Sequence, residues 1–347
     1  MKIFHALFSD KSGGLEQAYF DYSEAMANKG HSLVLAIHPE AKLKSQLSQL
    51  RQEILSFAPK GYYDLGTIWQ LRRAIRQTKP DVVLAHNSRA VSVLKLAMLG
   101  LSIPLIGVSH GYKTRRMMRA DYLLTLTNDM RDHFVKAGYC ANRCLVMPNM
   151  IRPVALDYRP MNPVPVIGAI GRLVYDKGFH QLVQAMAELS RRGVLCRAVI
   201  AGDGIERDSL QRFAADLGVS DLISWTGWVR DKQHFYDTID LLVFPSLNES
   251  FGLVVLEGMT YSKPVIASNT VGPASIIEHE KNGLLFESGD VLGLVEAIER
   301  LIENSVSAEQ IAKAGRERSQ EFSPERFAER LDKLLINIRD NRSVRSS

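Results

Sequence analysis

The sequence predicts an α/β protein made of two doubly wound units, each a parallel sheet covered by helices. Three observations carry this. Short apolar runs recur along the chain, and segments with helical spacing separate most of them, the cadence of a parallel sheet with crossover helices. A proline-rich stretch of little periodicity, "RPVALDYRPMNPVP", interrupts the cadence, which then restarts. The length, 347 residues, is too great for one ordinary core and suits two.

In the first half the strand candidates are, in order, "KIFHALF", "SLVLAI", "DVVLAH", "PLIGVS", "YLLTLT" and "CLVMP". Helix-like stretches such as "EQAYFDYSEAMANKG" and "LGTIWQLRRAIRQTKP" lie between them. In the second half they are "VIGAIG", "RAVIAGDG", "LISWTG", "LLVFPS" and "PVIAS". From "VLGLVEAIERLIEN" through "RFAERLDKLLINIRD" the pattern is helical, and "NRSVRSS" reads as a polar, frayed tail. The expected boundaries are a first domain over 1–152, a linker over 153–164, a second domain over 165–322, and a terminal helix and tail over 323–347. Open sheets of this kind bind ligands beyond the carboxyl ends of their strands, and two such units are expected to face each other across a cleft.

Composition excludes several classes. With 46% hydrophobic and 23% charged residues the chain is neither disordered nor fibrous. A net charge of +5 is a mild basic bias that favours phosphorylated ligands or an anionic membrane face. Three cysteines in a long chain do not form a disulfide framework, and Cys140 and Cys144 lack a second pair to complete a zinc site, so a reducing cytoplasm is the expected home. "MKIFHALF" is too short for a signal-peptide core, and the most apolar stretch, from Val91, is broken by Lys95, Gly100, Ser102 and Pro104. Any membrane contact is therefore expected to be peripheral.

Chemistry concentrates after the strands. Gly13 and Gly14 in "SGGLE" let backbone N–H groups approach an anion at a helix start, although a plain tight turn also fits. In "GRLVYDKG", Arg172 offers a planar fork of donors and Lys177 a compact charge, a pair suited to a diphosphate; a solvated pair at a helix start is the alternative. Glu249 and Glu257 lie eight residues apart in "PSLNESFGLVVLEG". A wholly helical interval would put them about 12 Å apart along the axis. That is too far for the paired carboxyls of a glycoside hydrolase, about 5–9.5 Å apart. They are expected instead to grip separate parts of one extended ligand, Glu249 from a loop and Glu257 from the following helix. Gly252 permits close backbone approach, and the apolar neighbours of Glu257 predict that it is partly buried and partnered.

These motifs together resemble glycosyltransferase family 4, retaining enzymes of the GT-B fold. The match runs through Gly13, Gly14 and Glu16, the "GRL" to "KG" segment, "AGDG" at 201–204, the two glutamates and "PVIAS", in order over nearly the whole chain. The resemblance implies two Rossmann-like domains with C-terminal helices returning to the first. It also implies that Glu249 lies by the donor sugar and that Glu257 holds the ribose hydroxyls. Phe251 and Gly252 match positions whose backbone meets the sugar hydroxyls. Arg172 and Lys177 match the clamp on the donor diphosphate, Gly14 the loop that closes over it, and Gly202 belongs with the substrate-binding set. His110, in "VSHGY", falls where the family has a histidine close to the reacting carbon; on its own it would read as a structural residue. Three neighbours depart from the family pattern: Gly111 after His110, Met150 after "PN", and Gly258 after Glu257.

The expected activity is transfer of a sugar from a nucleotide-diphosphate sugar to a hydroxyl of a glycan or glycolipid. By resemblance the target is lipopolysaccharide core or a related surface glycan. The donor is a co-substrate, and neither cofactor nor metal is expected, because cations take the diphosphate's charge and "AGDG" is not an Asp-x-Asp site. "GYKTRRMMRADY" sets Lys113, Arg115, Arg116 and Arg119 among Tyr112, Met117 and Met118, which suits a phosphorylated acceptor or an anionic membrane as well as a plain solvated loop. Two alternatives are a nucleotide-sugar epimerase or hydrolase, and a non-catalytic basic binding protein. The mild charge and the lack of a binding motif speak against nucleic acid.

Overall fold

A computed structural model describes residues 1–11, 13–154 and 156–343, with side chains to residue 340. Ser12 of the glycine loop and the tail from residue 344 lie outside the described residues. Chain contacts divide it into one unit of Met1–Met150 with Pro324–Ser347 and a second of Ile151–Ser323.

The first unit holds seven strands: β1 (Lys2–Leu7), β2 (Ser32–Ile37), β3 (Glu53–Ser56), β4 (Val82–His86), β5 (Leu105–Ser109), β6 (Tyr122–Thr125) and β7 (Cys144–Val146). They pair in the order β3-β2-β1-β4-β5-β6-β7, every pair parallel. β3 escapes the sequence pattern for a physical reason. It is an edge strand of four residues with both ends exposed, so it lacks the continuous apolar run of a strand buried on both faces. β4 and β5, at the centre, are buried at every position.

The second unit holds β8 (Val166–Ile170), β9 (Arg197–Ala201), β10 (Ile223–Gly227), β11 (Leu241–Phe244), β12 (Val265–Ser268) and β13 (Leu284–Phe286). The order is β10-β9-β8-β11-β12-β13, again parallel throughout. β13 is the other strand that apolar runs do not announce; its three residues form the sheet edge. Residues 153–164, expected as a linker, count with this unit, as do 151 and 152, expected in the first domain. Arg159 donates to the Asp237 carbonyl at 2.6 Å, and Asn162 donates to Asp240.

A recurring aspartate helps set the registers. Asp81, just before β4, accepts from the Lys2 N–H of β1 at 2.8 Å. Asp121, before β6, accepts from Leu105 N–H of β5 at 2.9 Å, and Asp240, before β11, from Val166 N–H of β8 at 2.7 Å. In each case a carboxylate satisfies an N–H at the start of the neighbouring strand, which would otherwise lack a ladder partner.

The expected return of the C-terminal chain to the first unit is made by the last helix, Pro324–Ser343. Its Phe327, Leu331, Leu335 and Ile338 enter the first core beside Tyr22 and Met26, and Asp332 meets His31 at 3.0 Å.

Candidate active site

Both sheets reverse strand order at one point, between β1 and β4 in the first unit and between β8 and β11 in the second. The loops leaving these strands diverge, and the crevice between them is where such sheets bind ligands. Three of the helices there start on glycine. Asp64, Thr127, Asp231, Asp290 and Asn304 cap their helices with side-chain oxygens. The helices Gly14–Asn28, Phe179–Arg191 and Leu253–Thr260 begin on Gly13, Gly178 and Gly252 with no side-chain cap, so their first N–H groups remain open.

In the second unit the loop after β8 carries Arg172 and Lys177, and the loop after β11 carries Glu249. Backbone bonds tie them together. Leu247 N–H donates to the Asp176 carbonyl at 2.8 Å, Ser246 Oγ donates to the same oxygen at 3.1 Å, and Gln181 Nε2 donates to the Pro245 carbonyl at 2.7 Å. Gly178 has φ 65°, and a Cβ there would lie 2.0 Å from the Pro245 oxygen, so only glycine lets the two loops approach this closely. Lys177 Nζ thereby reaches Glu249 Oε2 at 2.6 Å, both side chains largely buried, and lies 5.6 Å from the Phe244 ring centroid. The other oxygen, Glu249 Oε1, accepts from Ser250 N–H at 3.1 Å. The lysine has three donors and uses one on Glu249, leaving two for a ligand.

A cavity of about 170 Å³ in the same unit is lined by Arg172, Gly202, Trp228, Val229, Lys232 and Glu257 among others. Arg172 is exposed, and among the described residues no hydrogen bond or ion pair holds its guanidinium. Glu257 is as expected: its side chain is 13% exposed and partnered, Oε1 pairing with Lys232 Nζ and Oε2 accepting from Tyr236 at 3.4 Å. Burial first, then the Glu257 carboxylate, push the Tyr236 hydroxyl well up, so it stays protonated and donating. Phe251 is buried, its ring 6.0 Å from that of Phe322, and Gly252 is left-handed at φ 93°. The role of Gly202 in this geometry is steric, since its absent side chain would overlap the Gly171 carbonyl.

In the first unit His110 lines a pocket of about 330 Å³ with Leu15, Asn87, Ser109, Tyr112, Lys113 and Met117. The loops after β1, β4 and β5 thus meet there. Of the basic segment, Lys113 reaches this pocket, while Arg115 is exposed and Arg116 covers the Tyr62 ring at 3.6 Å. Behind His110 is a group that sequence reading passed over. His86 Nδ1 lies 3.1 Å from His110 Nε2 with the rings stacked, and His86 packs against His5, Tyr19 and Tyr22. The legible signal was a histidine ending a buried strand at the point of strand reversal.

Burial holds these histidines neutral: His5 is pushed down to about 3, His110 to about 4, and His86 well below its ordinary value, in the last case also by the charges of its two histidine neighbours. The unfolded chain therefore binds more protons than the folded one below pH 6.5, and stability is lost as pH falls from there toward 3. At pH 5 His5 alone should cost about 2 kcal/mol relative to neutral pH, with the other two adding in the same direction. Thermal melting from pH 7.5 to 4.5 should fall steeply below 6.5, and His5→Asn, which keeps a donor for Ser23, should make the slope shallower. A flat profile would contradict the buried neutral cluster.

Comparison with known proteins decides the family. The model for Glycosyl transferases group 1 matches residues 159–318, and that for Glycosyltransferase Family 4 matches residues 12–154. The chain is a glycosyltransferase, and its fold is GT-B. This glycosyltransferase is 28% identical over 328 residues to the lipopolysaccharide core biosynthesis glycosyltransferase LpsE of Rhizobium meliloti (strain 1021), covering 91% of this chain and 93% of that one. Over 287 residues it is 32% identical to the alpha-D-kanosaminyltransferase of Streptomyces kanamyceticus, 82% of this chain and 64% of that one. In fold it is similar to Anabaena HepE, solved in complex with UDP, with a TM-score of 0.85 at 22% identity, covering 97% of this chain and 100% of that one. The apo lipopolysaccharide outer core galactosyltransferase WaaB gives 0.83 at 18% identity, 97% and 99% covered.

Proposed function

We infer that this glycosyltransferase moves a sugar from a nucleotide-diphosphate sugar to a hydroxyl of lipopolysaccharide core or a related surface glycan, with retention and without a metal ion. The observation that carries the reading is that the loop leaving β8 at the strand reversal holds both Arg172, whose guanidinium has no partner among the described residues, and Lys177, anchored on Glu249. In this reading the two cations take the charge that grows on the departing diphosphate, as preorganised donors whose own geometry need not change. Glu257, held by Lys232 and Tyr236, accepts from the ribose hydroxyls, and Trp228 and Val229 give the base an apolar wall. Phe251 and Gly252 meet the sugar hydroxyls with backbone N–H groups, Glu249 lies by the sugar, and Gly202 keeps the cavity wall close. Gly13, Gly14 and His110 of the first unit are assigned to the donor by the family resemblance.

The proposed step breaks the bond from the anomeric carbon to the phosphate oxygen, forms the bond to the acceptor oxygen on the same face, and passes the acceptor's proton to the departing oxygen. Positioning and electrostatics then account for the rate. The relatives LpsE and LpsD, named for lipopolysaccharide core biosynthesis, support the acceptor class, and HepE complexes with UDP and with UDP-glucose support the donor class.

Among the described residues no helix is long and apolar enough to cross a membrane. A peripheral contact with an anionic bilayer is supported by exposed Tyr63, Leu65, Trp69 and Leu99. Cations accompany them: Arg73 lies 5.9 Å from the Trp69 ring centroid, and Arg119 above all, with Arg116 and Arg115, holds the Tyr63 hydroxyl below its ordinary range.

The test is melting with UDP, GDP and ADP, followed by incubation of the matching nucleotide sugars with and without core glycolipid, in EDTA, and with the anomeric configuration of the product read by NMR. A nucleotide at about a hundred times its Kd should add about 2.7 kcal/mol, roughly 5–10 °C in Tm for a domain of this size. Arg172→Ala and Glu257→Ala should remove most of that gain. No shift with any nucleotide, or a product of inverted configuration, would defeat the reading.

A further inference from the structure

We propose that Asn87 is a substrate-binding residue whose side-chain amide donates from Nδ2 to a saccharide oxygen held in the pocket of the first unit. That pocket, of about 330 Å³, lies where the loops after β1, β4 and β5 meet, beside the reversal of strand order. Several of its polar side chains are already engaged. Ser109 donates its hydroxyl proton to the Gly111 carbonyl at 2.7 Å, Tyr112 donates to Asp129 at 2.9 Å, and His110 Nε2 is taken up with His86. Ser88 and Lys113 line the pocket with donors that have no partner among the described residues, but the Ser88 hydroxyl turns freely and Lys113 is an exposed, flexible chain. Asn87 is the donor whose direction is set before any ligand arrives.

The direction follows from the start of the helix Asn87–Ala97. The first N–H groups of a helix have no carbonyl one turn earlier to bond. Asn87 Oδ1 accepts from two of them, Arg89 N–H and Ala90 N–H, at 3.0 Å each. A reversed amide would set its NH₂ group against two N–H donors, so these bonds decide which end is oxygen. Nδ2 then carries two hydrogens and meets no partner among the described residues, and it is not one of the enclosed polar atoms, so it is open to solvent. The residue lines the pocket together with His110.

The residue type points the same way. Asn87 has φ 72°, a left-handed conformation that glycine, asparagine and aspartate reach most readily. Glycine would leave the helix start uncapped. Aspartate would serve both the turn and the cap, and its charge would suit the positive end of the helix. What asparagine adds is a donor, so the ligand atom opposite it must accept, as a sugar oxygen does. That this oxygen belongs to a saccharide rests on the function proposed above; the direction of the amide does not.

The test is Asn87→Asp in the full-length protein. It should melt no lower than the unaltered protein, because turn and cap are kept, yet lower kcat/KM about ten- to hundredfold, because a carboxylate oxygen replaces the donor. With nucleotide sugar and core glycolipid varied in turn, the substrate whose KM rises tells whether the oxygen belongs to the donor sugar or to the acceptor glycan. Asn87→Gly keeps the turn and loses both cap and donor; it should melt lower than Asn87→Asp yet retain more activity, since no carboxylate then faces the ligand. Activity that simply follows melting temperature, or an Asn87→Asp with unaltered kcat/KM for both substrates, overturns the proposal. Should the variants not fold, ¹⁵N-asparagine spectra of the unaltered protein decide. The Asn87 side-chain NH₂ signals should shift and exchange more slowly with water on saturation with a UDP, GDP or ADP sugar that raises the melting temperature, or with core oligosaccharide; signals unmoved by both overturn it. If the unaltered protein transfers no sugar while those signals move, the function proposed above fails and the assignment of Asn87 stands.

Discussion

Lys177→Ala should lower kcat by about 10²- to 10³-fold, the range seen when one preorganised donor to developing negative charge is removed. Lys177 has its direction set from two sides, by Glu249 at 2.6 Å and by the Phe244 ring, and its turn is bonded to the loop after β11. A lysine so held needs little rearrangement as charge builds on a leaving diphosphate. Lys177→Arg should recover only part of the rate, because the larger planar group cannot occupy the same place beside Glu249. Glu249→Ala should also be slow, and the double variant should be no slower than the worse single one, since each residue acts through the position of the other. Steady-state rates with a saturating donor, alongside melting curves, check this. If Lys177→Ala melts lower but turns over at the normal rate, the pair is a structural ion pair and the cation has no part in the chemistry.

Gly202→Ala should have a comparable effect on activity by another route. Gly202 has φ 136°, which side chains rarely adopt, and its Cβ would come 1.8 Å from the Gly171 carbonyl oxygen. The Gly202 N–H is meanwhile held by the Gly227 carbonyl at 2.7 Å, and Gly171 N–H by that of Ala201 at 3.0 Å, so neither strand end moves freely. Strain at such a position costs roughly 1–3 kcal/mol, with the overlap adding to it. The displacement falls on Gly171 and hence on Arg172, which lines the cavity. Expected outcomes are a lower melting temperature and loss of nucleotide stabilisation. Gly30→Ala, at φ 76° with open space around it, is the comparison: it should lose stability through the backbone alone and keep its response to nucleotide. An active, nucleotide-stabilised Gly202→Ala would show that the close packing of these two loops is dispensable.

The two parallel sheets, their strand runs near the centre and the loops that carry the candidate groups were legible in the sequence. Strands buried on both faces must be continuously apolar, and glycine marks where a backbone has to pass close to another. The positions of Arg172, Lys177, Glu249 and Glu257 followed from the same signals. β3 and β13 were not legible, because an edge strand is short or half-exposed and needs no such run. Lys232 and Tyr236 were not legible either. They hold Glu257 from 25 and 21 residues away, and nothing local distinguishes them from an ordinary capped helix.

By itself the sequence determined the architecture and which residue types gather after which strands, since burial pattern and turn chemistry are local properties of the chain. Only the tertiary structure decided which charges are already paired and which are free. Lys177 is paired with Glu249, Glu257 with Lys232, and Arg172 has no partner among the described residues. It also brought together His5 within β1, His86 at the end of β4 and His110 just after β5. Pairing and desolvation depend on distances between segments far apart in sequence, and those distances exist only once the sheets have formed.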